Sequence, residues 1–227
     1  MSKTTTKYAI SDIHGAHQTF QAALEIMNLT KEDELYLLGD YIDRGPDSKG
    51  VIDTIWQLQA DGYQVHCLKG NHEEMVADQY YDPYSKYSYK DPQLMASFGV
   101  YGLREIPRNY IDWMRALPHY IEVDDYILVH AGLNGLIDDP LRDTDSMLWI
   151  RDSRSTLNHQ WLDGRIVVHG HTPIARYGIQ HYLQHLDQVP DLNIDNGCVF
   201  GRRSDQLGSL CVLDLTNRDV VFVKCLD

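Results

Sequence analysis

No apolar run in the sequence approaches the roughly 20 residues that a bilayer-spanning helix requires, and the start MSKTTTKYAI lacks the apolar block of a secretory signal. The expected compartment is the cytoplasm, with no membrane partner. Basic residues are scarce: 20 Lys and Arg stand against 33 Asp and Glu, a formal net charge of -13, with no long basic run. Nucleic-acid binding rests mainly on Lys and Arg releasing counterions from phosphates, so that partner class is excluded too. Any phosphate bound here must meet local positive charge. Cysteine is also rare. Cys67, Cys198, Cys211 and Cys225 show no CxxC spacing and lie in or beside apolar runs, which reads as buried reduced thiols rather than a disulfide framework or zinc knuckle. No staple is required, because a chain of 227 residues buries roughly 70% of the surface its unfolded form exposes.

What is present alternates. Short runs rich in Val, Ile, Leu and Tyr at 7–11, 34–39, 63–68, 126–130 and 165–169 predict buried strands. Between them, Phe20, Ala23, Leu24 and Met27 repeat at helical offsets, as do Val51, Ile55 and Leu58 with Ile52 and Trp56 beside them. Pro46 suits the start of the second helix, and Asp47 or Ser48 can cap it. Ile111, Met114 and Leu117 share another helical face. After 190 the segments NIDNGCVF, LGSLCVLDL and DVVFVKCL, with Gly, Asn and Asp at the joints, predict an antiparallel meander. The whole pattern predicts one α/β domain over 1–227 whose sheet is mixed. One segment, YYDPYSKYSYKDP at 80–92, has no clear period. It predicts a surface excursion, either a solvated loop whose Tyr rings pack on the body or a lid that helps select substrate.

The residues that follow each apolar run carry the chemistry: SDIHG at 11–15, GDYIDRG at 39–45, GNHEE at 70–74, HAG at 130–132 and GHTP at 170–173. In open α/β sheets, ligands bind beyond the carboxyl ends of strands, where loops from separate crossovers meet. Each fragment alone has an ordinary structural explanation as a turn or helix start. Their joint occurrence, in order and always after a strand, does not. Asp, Asn and His offer oxygen and imidazole nitrogen without thiolate, which suits Mn, Fe, Zn or Mg. Asp12, His14 and Asp40 can hold one divalent ion, and Asp40, Asn71, His130 and His171 a second, with Asp40 bridging. Such a pair clamps a phosphoryl group, lowers the pKa of a bridging water and supplies the missing positive charge. His72 is the candidate proton donor to the leaving group, oriented by Asp43. Arg44 can meet phosphate oxygens bidentately.

This set resembles the calcineurin-like metallophosphoesterases, and within them the phosphoprotein phosphatases with their GDxHG, GDxxDRG, GNHE, HxG and GH blocks. All five are present between residues 11 and 173, with Ser11 where the family commonly has Gly. The resemblance implies an α/β/β/α sandwich of mixed sheets between helices. It implies metal ligation by Asp12, His14, Asp40, Asn71, His130 and His171, an acid pair of His72 with Asp43, and attack by metal-bound hydroxide. Manganese is the leading expectation for both ions, with iron or zinc as alternatives. In VVHGH an alternating strand sends His169 and His171 to the same side, and the family pattern selects His171. Arg151 in LWIRD is similar to the family's second phosphate-gripping arginine, although Arg154 lies only three residues on.

Four substrate readings follow. The intact DRG block resembles the protein-phosphatase branch and places phosphoserine, phosphothreonine or phosphotyrosine in proteins first. HAG and the tail IDNGCVFG look like the bacterial branch that includes symmetrical diadenosine tetraphosphatases, which places dinucleoside polyphosphates second. That tail departs from the branch's IDTGCxxGG pattern at Asn196, Arg202 and Arg203. A broad phosphodiesterase on small phosphoesters is third. A non-catalytic phosphopeptide-binding scaffold is fourth, and the intact ligand set and acid pair argue against it.

Overall fold

The structure, a computed structural model, describes residues 5–201 and 206–227. Its first half repeats strand, loop, helix three times: β1 (Lys7–Ile10), α1 (His17–Met27), β2 (Glu34–Leu37), α2 (Ser48–Ala60), β3 (Gln64–Cys67) and α3 (Asn71–Tyr81). Helix α1 buries Phe20, Ala23 and Met27 and stops at Asn28, whose φ of 47° turns the chain out of the helix. Asp47 caps α2, its carboxylate accepting from Gly50 N at 2.8 Å, and Val51, Ile52 and Ile55 are buried. Helices α4 (Pro92–Phe98) and α5 (Arg108–Ala116) then pack on the same side. Pro92 at the first turn and the Asp91 carboxylate as cap fix where α4 begins.

The second half builds another sheet: β4 (Tyr120–Val123), β5 (Tyr126–Val129), α6 (Thr144–Trp149), α7 (His159–Leu162), β6 (Ile166–His169), α8 (Arg176–Leu183) and β7 (Asp191–Asn193). The chain returns to the first sheet with β8 (Ser209–Asp214) and β9 (Asp219–Lys224). One sheet has the order β3-β2-β1-β8-β9 and the other β4-β5-β6-β7. Both are mixed: β1, β2 and β3 run parallel while β8 and β9 are antiparallel, and β5, β6 and β7 run parallel while β4 is antiparallel.

Alternating side chains on each strand separate three apolar layers. Ile10, Leu35, Leu37 and Val65 face the helices of the first half, and Ala9, Tyr36 and Leu38 face the second sheet, meeting Tyr126, Leu128 and Val168. The opposite residues of the second sheet, Ile127, Val129 and Val167, pack on Met147 and Leu162. Two mixed sheets between layers of helix are the expected sandwich.

The tail corrects one expectation. Among the described residues of the tail, only β8 and β9 form a hairpin; β7 runs parallel to β6 with His169 opposite Asn193, and Cys198–Phe200 forms a 3-10 turn. A parallel neighbour needs a crossover, and α8 supplies it. β7 buries Asp191 and Asn193, polar residues that obscure its strand character in the sequence. The edge strand β4 was also not foreseen. The Tyr-rich excursion is shorter than expected, since α3 continues through Tyr81 and α4 begins at Pro92. Tyr84 there is exposed, whereas Tyr89 is buried and Tyr87 stacks on Trp149 with ring centroids 5.7 Å apart.

Candidate active site

Loops leaving the C-terminal ends of β1, β2, β3, β5, β6 and β7 converge, and the main chain ties them together. His14 N–H donates to the Asp40 carbonyl at 2.8 Å, Gly15 N–H to that of Tyr41 at 2.8 Å, and Gly170 N–H to that of His130 at 2.8 Å. Carboxylates reach across as well: Asp12 Oδ2 accepts from His171 N at 3.0 Å and Asp40 Oδ1 from His72 N at 3.1 Å. Six of the ten non-glycine residues with positive φ among the described residues lie here: Asp12, His14, Asp40, Asp43, Arg44 and His171. That conformation costs on the order of 1–2 kcal/mol per residue and persists where surrounding contacts over-determine it. The glycines at two motif starts permit close approach. A Cβ on Gly70 would lie 2.2 Å from Asp40 Oδ1, and one on Gly170 would lie 2.0 Å from Asp12 Oδ2.

Glu73 is the buried anchor of this arrangement. Its carboxylate accepts from Asp40 N at 2.9 Å, Tyr41 N at 2.9 Å and Gly70 N at 3.0 Å. Burial, with the charge of Asp40, pushes its carboxyl up to about 7, against the amides of Asp40 and Tyr41. Glu73→Ala would orphan three N–H groups and is expected to destabilise the fold by about 3 kcal/mol, at roughly 1 kcal/mol per group. For a chain of this size the thermal midpoint should fall by roughly 6–12 °C, and a fall below about 2 °C would show that the loop does not depend on this carboxylate.

The six predicted ligand residues are gathered here and buried. Ligand atoms of Asp40, His130 and His171 lie within 4.8 Å of one another, as do those of His14, Asp40 and His72. Asp12 Oδ1 is 4.0 Å from His14 Nε2, and Asn71 Oδ1 is 2.9 Å from both His130 Nε2 and His171 Nδ1. The hydrogen-bond network assigns the tautomers. His14 Nδ1 donates to the Ile42 carbonyl at 2.8 Å and His130 Nδ1 to that of Leu38 at 2.9 Å, which leaves both Nε2 lone pairs facing inward. Burial lowers the His14 imidazole to about 3 despite the nearby Asp40, and lowers His171 to about 3 with help from the charges of His130 and Arg151.

The His14 lone pair accepts from Arg44 Nη1 at 2.7 Å, whereas the His130 one faces oxygen. The bare Nε2 of His130 points at Asn71 Oδ1, and His171 Nε2 is buried without a partner. Asp12, Asp40 and Asp195 are all at most 3% exposed, and among the described residues neither Lys nor Arg forms an ion pair with any of them. Burial drives the carboxyls of Asp12 and Asp195 upward, each further raised by the other carboxylates. Burial also opposes ionisation of Asp40, but the imidazoles of His130, His72 and His14 hold it below the usual range. Converging lone pairs and uncompensated buried carboxylates are what divalent cations satisfy, so these residues fit such ions.

His72 sits at the rim. Its Nδ1 is hydrogen-bonded to Asp43 Oδ2, and the other Asp43 oxygen accepts from the Tyr89 hydroxyl. Burial would lower the His72 imidazole, but Asp40 and the Asp43 hydrogen bond outweigh it and raise it to about 9. Asp43 is raised to about 6, chiefly by its own burial. Arg44 Nη2 lies 3.2 Å from His72 Nε2 and its Nη1 2.7 Å from His14 Nε2. The two later arginines separate clearly. Arg154 is engaged by Asp191 Oδ1 at 3.1 Å and stacks on Tyr182 at 3.4 Å, while Arg151 is exposed with its charge felt at His171. His169 faces Asp191 at 3.3 Å. Sequence reasoning missed Glu73, Tyr89 and Asp195; Asp195 accepts from Gly197 N at 2.7 Å, and its signal was the IDNG tail. Arg202 and Arg203 lie outside the described residues.

The model of the calcineurin-like phosphoesterase family matches residues 6–201. A symmetrical bis(5'-nucleosyl)-tetraphosphatase of Chromobacterium violaceum is 32% identical over 129 residues, which is 56% of this chain and 43% of that protein. The chain thus spans less than half the length of the curated relatives it matches. A solved structure provisionally described as a diadenosine tetraphosphatase superposes with a TM-score of 0.63 at 20% identity, over 98% of this chain and 94% of that one. A serine/threonine phosphatase from Saccharomyces cerevisiae superposes at 0.66 and 13% identity, over 100% and 82%. At such identities the two structures establish a shared fold. No helix among the described residues is long and apolar enough to cross a membrane. The match over residues 6–201, a span that contains all five blocks, makes the chain a member of the calcineurin-like phosphoesterase family.

Proposed function

We propose that the chain hydrolyses dinucleoside polyphosphates, with diadenosine tetraphosphate as the representative substrate. The observation that carries this reading is the 32% identity to a symmetrical bis(5'-nucleosyl)-tetraphosphatase. It reverses the order drawn from the sequence, where phosphoproteins came first. The similarity to the yeast serine/threonine phosphatase concerns the fold and gives no comparable support for a protein substrate.

In this reading Asp12, His14 and Asp40 would hold one divalent ion, and Asp40, Asn71, His130 and His171 the other. Two such ions, when bound, polarise the phosphoryl group and lower the pKa of solvent. The rest is done by side chains. Arg44 and Arg151 bind phosphoryl oxygens and orient the chain of phosphates. His72, held by Asp43, carries a proton on Nε2 for the departing oxygen once the Arg44 guanidinium, 3.2 Å from that nitrogen, has turned onto the phosphate. Tyr89 fixes the Asp43 carboxylate and thereby the imidazole ring. Tyr89→Phe is expected to lower kcat on alkyl phosphates about tenfold, one hydrogen bond to a charged group being worth about 1.5 kcal/mol. A kcat within a factor of two of wild type would remove Tyr89 from this role.

The deciding experiment is a parallel panel of diadenosine tetraphosphate and phosphopeptides with added manganese, comparing kcat/KM. The expected result is a specificity constant for the dinucleotide at least a hundred times that for any phosphopeptide, on the order of 3 kcal/mol of discrimination. The reverse order would restore the protein-phosphatase reading.

A further inference from the structure

Arg44 belongs to two spaces. On one side its guanidinium touches His14 and His72; on the other it lies 5.3 Å from the centroid of the Phe200 ring. Phe200, with Val199 and Pro46, lines a cleft of about 870 Å3 that Arg44, Gln93, Lys224 and Asp227 also line. That volume lies within the several-hundred-cubic-ångström range of small-molecule sites and far exceeds what one phosphoryl group fills. An aromatic face, an amide and a basic group, continuous with a phosphate-binding arginine, are the parts that hold a nucleoside next to its own phosphates.

We infer that this cleft seats one nucleoside of the substrate, its base stacked on Phe200 and its phosphates passing Arg44 toward the cluster of Asp and His residues. The inference rests on the dinucleoside polyphosphate reading above and names where one end of that substrate is recognised. Stacking supplies affinity, and the Gln93 amide can meet the edge of the base. Phe200 is therefore a specificity residue, acting on KM more than on kcat.

Cys225 provides a readout that needs no turnover. It also lines the cleft and is the one cysteine of the four that is not buried. The hydrogen bond from Cys198, outweighing partial burial, lowers its thiol to about 6, which suits alkylation at neutral pH.

The test compares wild type, Phe200→Ala and Phe200→Trp on diadenosine tetraphosphate and on an aryl phosphate, which has no nucleoside. Base–aromatic stacking predicts a roughly 10- to 100-fold fall in the ratio of the two specificity constants for Phe200→Ala, carried by KM, and recovery in Phe200→Trp. Adenosine 5'-tetraphosphate should slow alkylation of wild-type Cys225 by iodoacetamide, and inorganic tripolyphosphate should not. An unchanged ratio in Phe200→Ala, or equal protection by both polyphosphates, overturns the nucleoside site while leaving the substrate reading intact. A wild-type enzyme that cleaves the aryl phosphate but not the dinucleotide overturns the substrate reading, and this inference with it. Unfolding midpoints of both variants within a few degrees of wild type ensure that a lost ratio is not lost structure.

Discussion

Asp40→Asn is expected to abolish hydrolysis and to release metal. Asp40 stands between the two groups of ligand atoms, 3.5 Å from His14 Nε2 on one side and 3.5 Å from His130 Nε2 on the other. Replacing the carboxylate with an amide keeps the hydrogen bond from His72 N, because the oxygen remains. What disappears is the charge shared by both groups. Losing several kcal/mol of charge stabilisation at the phosphoryl group corresponds to roughly a 1,000-fold or greater fall in kcat. The binding itself is measurable without turnover. A metal in hundredfold excess over its Kd stabilises the folded state by about 2.7 kcal/mol, which for a chain of this size raises the thermal midpoint by roughly 5–10 °C. That manganese-induced rise should be present in wild type and absent in Asp40→Asn. Two ions per chain still found by elemental analysis of the variant would refute the bridging assignment.

The residues behind this prediction were readable before any fold was known, for a physical reason. A ligand at a strand end needs a short loop, and a short loop that brings backbones this close requires glycine, so four of the six candidate ligands, His14, Asp40, Asn71 and His171, are written beside a Gly. The supports were not written that way. Glu73 looks like one more acid in a first helical turn, and only the structure turns it back onto the amides of Asp40, Tyr41 and Gly70. Tyr89 sits in an aperiodic segment among other tyrosines, and its partner Asp43 lies 46 residues away. Side chains that act across such distances leave no local period.

The same distinction governs the fold. Strands β1, β2, β3, β5 and β6 are apolar runs with helices between them, and each lies within a residue or two of its expected place. The antiparallel tail was misjudged because its turn residues have a second use. Asn193, Asp195, Asn196 and Gly197 read as hairpin punctuation, yet Asn193 Nδ2 donates to the Thr172 carbonyl at 2.8 Å and Asn196 Nδ2 to that of Ile174 at 3.0 Å. They hold the loop after β6 in place beside His171. Composition marks a turn residue, but whether it turns the chain or braces a neighbouring loop is decided by tertiary contacts.

His72→Asn provides the second large effect, and its size should depend on the substrate. The departing oxygen of an alkyl phosphate is a poor leaving group and must be protonated as its bond breaks, whereas an aryl oxygen or the terminal phosphate of a departing nucleotide tolerates negative charge. Asn keeps the backbone N–H that Asp40 accepts but removes the proton at Nε2. General acid catalysis contributes roughly 100- to 10,000-fold, so kcat on an alkyl phosphate should fall by that range. The loss on an aryl phosphate should be tenfold or less, and the loss on diadenosine tetraphosphate should fall near the aryl value, because its leaving group is a phosphate rather than an alkoxide. Across a series of aryl and alkyl esters, log kcat of the variant should decline more steeply with leaving-group pKa than that of wild type. Parallel lines for the two enzymes would mean that His72 does not donate the proton, and would leave its hydrogen bond to Asp43 with a purely structural role.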